Sequence, residues 1–238
     1  MINEQRLRDY FLDLVRIDSE SHHERQIALK LRADLEALGA VVREDDAGRV
    51  IGSDSGNLIA TLKGNAAGVP PILLSAHMDT VMPGKGVKPV VEGDIVRSDG
   101  ATVLGGDDKS GLAALIEALR AAREQSAPMS DVEVVFTICE EEGLLGAKEV
   151  DTTVLRSAYG LVLDSDEPGV LYTRAPAADH MEFRIVGLEA HAGSGRILEV
   201  KPLLTGTSAN TTRWRASAPG SSATPPSGSC PGWAHHRT

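Results

Sequence analysis

Carboxylates, together with one histidine, are concentrated in four short segments of the sequence. Each segment follows an apolar run that is predicted to be a buried strand, or opens a predicted helix. The segments are His77-Met78-Asp79, Gly106-Asp107-Asp108, Glu140-Glu141-Glu142 and Asp164-Ser165-Asp166. Because open α/β sheets place their sites at the carboxyl ends of strands, we expect these side chains to meet at one edge of a sheet. One histidine among several carboxylates is a donor set for zinc or a harder divalent cation.

The segment around His77 carries its own geometric argument. Residues two apart in an extended segment point the same way, so the carboxylate of Asp79 can reach the imidazole of His77. A carboxylate on the far ring nitrogen orients a metal-binding histidine and raises its basicity. Taken alone, the segment is equally consistent with a surface histidine beside a turn aspartate.

The three acidic segments each have a simpler interpretation when considered singly. Asp107 and Asp108 could cap a helix, the three glutamates could form an acidic surface loop, and Asp164 could belong to a turn. The functional interpretation is that Asp107 bridges two cations, while one glutamate binds metal and its neighbour transfers a proton. Carboxylates directly after a buried strand are costly unless positive charge lies beside them. Repetition of the pattern therefore favours a metal site.

Apolar periodicity predicts alternating helices and strands. This alternation indicates an α/β fold with a mixed, largely parallel central sheet flanked by helices. Ser21 and Glu24 form a capping-box pattern that would open the second helix. Buried strands are expected at residues 58–62, 72–75, 132–138 and 159–163, and helices near the N-terminus, up to residue 38, and at 109–123.

The residue pattern and the composition of the sequence change twice towards the C-terminus. We expect a catalytic domain at residues 1–175 and the start of a smaller α+β lid domain at 176–199. In the lid, the alternation from Met181 to Val186 is typical of a half-exposed antiparallel strand. Residues 200–238 contain no Asp or Glu, although the chain has 34, and are rich in Ser, Thr, Pro, Gly and Ala. We expect them to be a disordered tail, a truncation product or a stretch read in a shifted frame.

Composition excludes several classes of protein. An apolar fraction of 42% in 238 residues is enough for a packed core, and a formal net charge of -10 argues against nucleic-acid binding. The sequence has no apolar run of the ~20 residues that a membrane span needs and no N-terminal signal pattern. Cys139 and Cys230 do not form a disulfide framework. The cytoplasm is the simplest compartment.

The order of the motifs resembles one known family. HMDTV at 77–81, GGDDKSG at 105–111, CEEEG at 139–143 and LDSDE at 163–167 are similar to motifs of the two-zinc metallopeptidases. That family includes aminoacylase, glutamate carboxypeptidase and peptidase T, and the similarity is greatest to the peptidase T-like branch. It covers about residues 1–193, including the AHAG segment at 190–193.

The resemblance implies a ligand set. His77 and Asp164 would hold one Zn2+, Asp107 would bridge both ions, and Glu141 would hold the second. Co2+ and Mn2+ are alternatives to zinc. The peptide bond joining Asp107 to Asp108 is expected to be cis.

The resemblance also implies catalytic roles. Glu140 would be the general base, Asp79 would orient His77, and His191 would stabilise the oxyanion, commonly from across a dimer interface. Family members are longer than this chain, and their returning segment supplies a further histidine ligand, to which neither His235 nor His236 is assigned. We therefore expect a three-ligand site and an incomplete second site.

The function implied is a tripeptide-releasing aminopeptidase acting on small peptides, without a nucleic-acid or membrane partner. An amidohydrolase that deacylates N-acyl amino acids shares the same ligands and stays open as an alternative. An inactive truncated fragment is the non-catalytic alternative. Homodimerisation through the lid domain is expected of a chain in which that domain is complete.

Overall fold

The computed structural model describes residues 1–165, 167 and 169–174, and the backbone of two short strands at 182–185 and 213–216. The chain divides into two compact units, Met1–Pro168 and Gly169–Thr238. The domain boundaries after residues 175 and 199 stay predictions. His191 and Asp166 lie outside the described residues, as does most of the predicted lid and tail.

The described residues of the first unit form five α-helices, one 3-10 helix (Thr152–Val154) and seven strands. The helices are α1 (Glu4–Val15), α2 (Arg25–Ala37), α3 (Ala47–Ile51), α4 (Gly106–Glu124) and α5 (Leu145–Lys148). The strands are β1 (Val41–Glu44), β2 (Leu58–Leu62), β3 (Ile72–His77), β4 (Pro89–Glu92), β5 (Ile95–Ser98), β6 (Val132–Thr137) and β7 (Gly160–Val162). Within the residues that the structure describes, no helix is both long enough and apolar enough to cross a bilayer.

Five of these strands form a mixed sheet in the order β1-β2-β6-β3-β7. The pairings of β2 with β1 and with β6 are antiparallel, whereas β3 pairs in parallel with both β6 and β7. His77 is in register with Thr137, and Ser75 with Val162. The carboxyl ends of β6, β3 and β7 therefore lie side by side. This confirms the predicted α/β class with a mixed sheet flanked by helices.

One hydrophobic cluster joins α1, α2 and α4 to the sheet. Its fully buried members include Leu14, Leu31 and Ile116 on the helices and Leu58 and Phe136 on the strands. Each such side chain contributes about 1.5–3 kcal/mol by leaving water. The cluster gives the strands that end at the candidate site a rigid support.

Tyr10 links the same three helices at the surface of the core. Its hydroxyl donates a hydrogen bond to Asp34 Oδ2 at 2.5 Å, and Lys30 Nζ and Arg120 Cζ lie 4.8 Å and 4.6 Å from the centre of its ring. These are cation–π distances. Burial and the Asp34 carboxylate raise the pKa of Tyr10, so it stays neutral.

The capping box predicted at the start of α2 is wrong. Glu24 itself is the N-cap residue of α2, and its side chain makes no capping hydrogen bond. The Ser21 hydroxyl donates instead to Asp79, and the Glu24 carboxylate accepts from Cys139 and Ser53. Besides the nearby His22 N–H, the Glu24 carboxylate therefore binds donors distant in sequence, and a local pattern carries no information about them.

The second unit contains two described strands. The predicted strand at 181–186 is present as β8 (Glu182–Ile185), and it pairs with β9 (Arg213–Ala216). The pairing is parallel, so the expected antiparallel arrangement is wrong. Alternation of apolar and polar residues indicates a half-exposed strand but does not determine the direction of its neighbour.

Candidate metal centre

The carboxyl edge of the sheet brings the predicted ligands together. His77 is the last residue of β3, and its Nε2 lies 2.8 Å from Asp107 Oδ1 and 3.8 Å from Asp164 Oδ1. Donor atoms of His77, Asp107 and Asp164 all lie within 4.8 Å of one another, and so do donor atoms of His77, Glu140 and Glu141. The imidazole of His77 is thus the meeting point of two groups of carboxylates.

The backbone at the start of α4 directs the side chains of its two adjacent aspartates to different places. The peptide bond between Asp107 and Asp108 is cis, as the resemblance implied, and both residues have non-helical dihedral angles. The Asp107 side chain is 71% exposed and faces the site. The buried Asp108 carboxylate accepts from His77 N at 3.3 Å and from Gly111 N at 3.1 Å. Asp108 therefore ties β3 to α4, while the exposed Asp107 carboxylate contacts His77 Nε2.

Asp79 supports the centre through contacts with His77 and with the backbone of Glu140 and Glu141. It is fully buried, and its Oδ1 lies 3.3 Å from His77 Nδ1, a contact that falls short of hydrogen-bond geometry. Its oxygens accept from Ser21 Oγ at 2.7 Å, Glu140 N at 2.9 Å and Glu141 N at 3.2 Å. One carboxylate thereby positions both the imidazole and residues 139–143, called the glutamate segment below. This is a wider role than orienting His77 alone.

Burial and neighbouring charges shift the pKa values of the site residues in opposite directions. Burial alone would lower the pKa of His77, but the carboxylates of Asp79 and Asp107 more than offset it and raise that pKa to about 10. Burial raises the pKa of Asp164, Glu140 and Glu141, and neighbouring carboxylates raise it further, against the attraction of His77. Each of these carboxylates is favoured in its charged form by a nearby positive charge.

The same carboxylates fit a divalent cation. Several carboxylate oxygens and one imidazole nitrogen converge, and a carboxylate stands behind the imidazole, which is the usual support of a metal-binding histidine. A cavity of about 220 Å3 adjoins Asp107 and Asp164. It is also lined by Gly106, Asp108, Ser110 and Ser165. The donor set and the space beside it are those that a metal ion and a small substrate need.

Three buried charged residues next to the site, Asp108, Lys109 and Glu24, have tertiary contacts that the sequence does not predict. Burial raises the pKa of Asp108 to about 7 and lowers that of Lys109 to about 8, and Lys109 Nζ donates to Ile17 O at 2.6 Å. Glu24, also buried, contacts the glutamate segment. The one signal in the sequence is the run of polar residues at 18–25, which lies just before an amphipathic helix.

Comparisons with known proteins relate this chain to peptidases. Residues 57–174, which span the four motifs, match Peptidase family M28. The uncharacterized protein YqjE of Bacillus subtilis (strain 168) is 45% identical over 194 residues, covering 81% of this chain and 52% of YqjE. Peptidase T of Citrobacter koseri is 31% identical, covering 73% of this chain and 48% of that protein. The chain thus spans about half the length of the curated relatives it matches.

Solved structures give the same picture. The crystal structure of aminopeptidase PepT from Bacillus cereus ATCC 10987 matches with a TM-score of 0.68 and 44% identity, covering 70% of this chain and 44% of that one. The crystal structure of a tripeptidase from Staphylococcus aureus matches with a TM-score of 0.68 and 43% identity, covering 70% of this chain and 45% of that one.

Proposed function

We propose that this chain, which belongs to the peptidase T-like metallopeptidase family, binds divalent metal at the carboxyl edge of its sheet and hydrolyses small peptides there. The observation that carries the proposal is the convergence of Asp107, Asp164, Glu140 and Glu141 on the imidazole of His77. Acidic residues in unrelated surface loops would not be expected to converge on one buried histidine.

The proposed ligands divide between two ions. His77, Asp107 and Asp164 would hold the first, and Glu141 would hold the second, with Asp107 shared between them. Zn2+ is the proposed metal, and Co2+ and Mn2+ are alternatives that also bind carboxylate and imidazole ligands. The ions would polarise the scissile carbonyl and lower the pKa of the attacking water.

Glu140 is the proposed general base. It accepts a proton from the attacking water and returns that proton to the amine that leaves when the peptide bond breaks. Its backbone N–H is held by Asp79, which fixes the segment that carries the carboxylate. His191, which lies outside the described residues, is proposed to stabilise the negative charge that develops on the carbonyl oxygen.

The proposed substrate class is a short peptide with a free amino terminus, such as a tripeptide. Two of the similar solved structures carry the names aminopeptidase and tripeptidase, which favours this class over N-acyl amino acids. Deacylation uses the same chemistry at a different carbonyl, so substrate preference has to be measured directly.

The test compares Glu140→Gln with the wild type, each supplied with zinc, on a tripeptide and on an N-acyl amino acid. We expect tripeptide hydrolysis by the wild type and a loss of about 10²–10⁴-fold in kcat for Glu140→Gln, with bound zinc unchanged. Glu142→Gln is the matched control, because Glu142 is 49% exposed and pairs with His22. Turnover of Glu140→Gln at the wild-type rate, or preference for the N-acyl substrate, would overturn the proposal.

A further inference from the structure

The buried carboxylate of Glu24 lies outside the candidate metal centre but contacts the segment that carries the proposed base. Glu24 is fully buried. Its Oε1 accepts from Cys139 N at 3.0 Å, Cys139 Sγ at 3.2 Å and His22 N at 3.1 Å, while its Oε2 accepts from Ser53 Oγ at 2.6 Å. A buried carboxylate with four donors is costly to disturb, because removing it leaves those donors unpaired.

These contacts complete a series along the glutamate segment. The backbone N–H of Cys139 points to Glu24, and the next two N–H groups, of Glu140 and Glu141, point to Asp79. Two buried carboxylates thus hold three consecutive peptide groups. Cys139 has a φ of +48°, a left-handed conformation that residues with a side chain rarely adopt.

The strain at Cys139 explains why a tertiary anchor is needed there. A non-glycine residue in this region persists only when the surrounding structure holds it. The turn at Cys139 ends β6 and redirects the chain, so that the carboxylates of Glu140 and Glu141 face His77. Without the anchor, the segment would relax towards ordinary dihedral angles and carry both carboxylates away from the imidazole.

We infer that Glu24 is a positioning residue for the proposed base: it holds the strained turn at Cys139 and so keeps Glu140 and Glu141 directed at His77. The inference rests on the proposed function for the role of Glu140. It assigns a purpose to the polar loop before α2, which lies 115 residues away from Cys139 along the chain. Glu24 acts through the backbone of this segment.

The substitutions separate a positioning role from a merely structural one. Glu24→Ala removes the acceptor, whereas Glu24→Gln keeps an oxygen for Cys139 N and presents an amide to the Ser53 hydroxyl, which can accept from it. Glu133→Ala is the matched control, because Glu133 is equally buried and accepts from Arg156 N, Ser157 N and Ser157 Oγ. Glu133 lies on β6, the strand that leads into the strained turn, at the end away from that turn.

The first readout is hydrolysis of a tripeptide by the zinc-loaded full chain. Displacement of a catalytic group by about 1 Å can cost on the order of 10²-fold in rate. We expect Glu24→Ala to lower kcat by about 10–100-fold with KM changed less than about threefold. Glu24→Gln should recover most of the rate, and Glu133→Ala should keep the wild-type kcat per folded chain. Equal kcat values for Glu24→Ala and Glu133→Ala would overturn the inference.

The second readout does not depend on activity. In a Cys230→Ser background, a thiol reagent reports opening of the turn through the buried Cys139. We expect faster labelling under native conditions in Glu24→Ala than in wild type, Glu24→Gln or Glu133→Ala. If Glu24→Ala does not fold, Glu24→Asp replaces it, because its shorter side chain cannot reach both Cys139 and Ser53.

The two readouts keep the inference and the proposed function distinguishable. Absence of peptide turnover in the wild type would overturn the proposed function and leave the labelling rates to decide whether Glu24 holds the turn. Labelling of Glu24→Ala no faster than that of Glu133→Ala would overturn the inference, whatever the activity.

Discussion

At the scale of single residues, Asp79 connects most of the candidate centre. Its carboxylate faces the imidazole of His77, accepts two consecutive N–H groups of the glutamate segment and accepts the hydroxyl of Ser21. Burial alone would raise its pKa, but the contacts with His77 and with these donors lower it, so Asp79 stays charged. The surrounding contacts therefore stabilise the ionised form of Asp79.

The substitution Asp79→Asn tests this role. An asparagine amide presents N–H donors where the native carboxylate accepts, so one side of the side chain would face another donor. We expect zinc affinity to fall about 10–100-fold, the usual effect of losing a carboxylate behind a metal-binding histidine. A competition titration against a chromogenic chelator measures it.

Asp131→Asn is the control for that substitution. Asp131 precedes β6 at the end away from the site and binds Lys63 and Gly64 N. Its replacement should leave zinc affinity unchanged. Equal affinities for wild type and Asp79→Asn would show that Asp79 has no part in supporting the imidazole.

Residue types and spacing predict the charged centre and its support by Asp79, but not its other supports. His77 and Asp79 were paired because alternation along a strand is a local rule, and the acidic segments stand out after apolar runs. Glu24 and Asp108 are predicted only as helix-capping residues, and their tertiary contacts are not predicted. Their partners, Cys139 and His77, come into contact only through the order of the strands, which no local pattern encodes.

At the scale of elements, Gly111 sets how closely α4 approaches the end of β7. A Cβ at this position would lie 2.2 Å from Asp108 Oδ1 and 2.5 Å from the carbonyl oxygen of Leu163. Neither neighbour can move without shifting Asp107 or Asp164. Glycine is therefore required here by close packing of two elements that both carry ligands.

We expect Gly111→Ala to destabilise the fold by about 1–3 kcal/mol through overpacking and to weaken zinc binding. Gly106→Ala, in the same motif, is the matched control, because its Cβ would meet only Leu104 Cδ2, at 4.0 Å. Urea unfolding and zinc titration of both variants provide the comparison. A Gly111→Ala protein as stable as Gly106→Ala would contradict the packing argument.

The contact between α1 and α4 predicts a pH dependence. Glu117, buried on α4, accepts from Arg6 Nε at 2.6 Å and from Asn3 N at 2.9 Å. The hydrogen bond from Arg6 lowers the pKa of Glu117 from its ordinary value of 4.5. A depressed pKa in the folded state contributes stability above pH 4.5 that is lost as the pH falls through the folded-state pKa.

Glu117→Gln should therefore cost about 1–3 kcal/mol at pH 7, and less as the pH falls below 4.5. Glu124→Gln is the control, because Glu124 binds the same arginine but is 56% exposed, and solvent-exposed ion pairs contribute little to stability. Urea midpoints between pH 3 and pH 7 measure both variants. A pH-independent difference between wild type and Glu117→Gln would refute the assignment.

Strand prediction succeeds where a continuous apolar run marks a buried strand. β2 was predicted at its observed bounds, and β3, β6 and β7 within two residues, because their continuous apolar runs are typical of buried strands. The hairpin of β4 and β5 is not predicted, since each strand is only four residues long and its residues are exposed or half-buried. Pairing direction was wrong for β8, where alternation alone was available.

At the scale of the whole molecule, the account depends on topology. β6, β3 and β7 run parallel and adjacent, so three segments distant along the chain end at one edge. The helix between β5 and β6 adds Asp107 at the same edge. The central claim is that these segments form one metal site around His77.

The most direct test is zinc retained per chain after dialysis, measured by elemental analysis for the wild type, His77→Ala and His23→Ala. His23 is exposed and has no place in the candidate centre, so its replacement controls for loss of a histidine. The account predicts at least one tightly held zinc in the wild type and in His23→Ala, and a loss of more than about 100-fold in affinity in His77→Ala. Wild-type zinc retention by His77→Ala would contradict it.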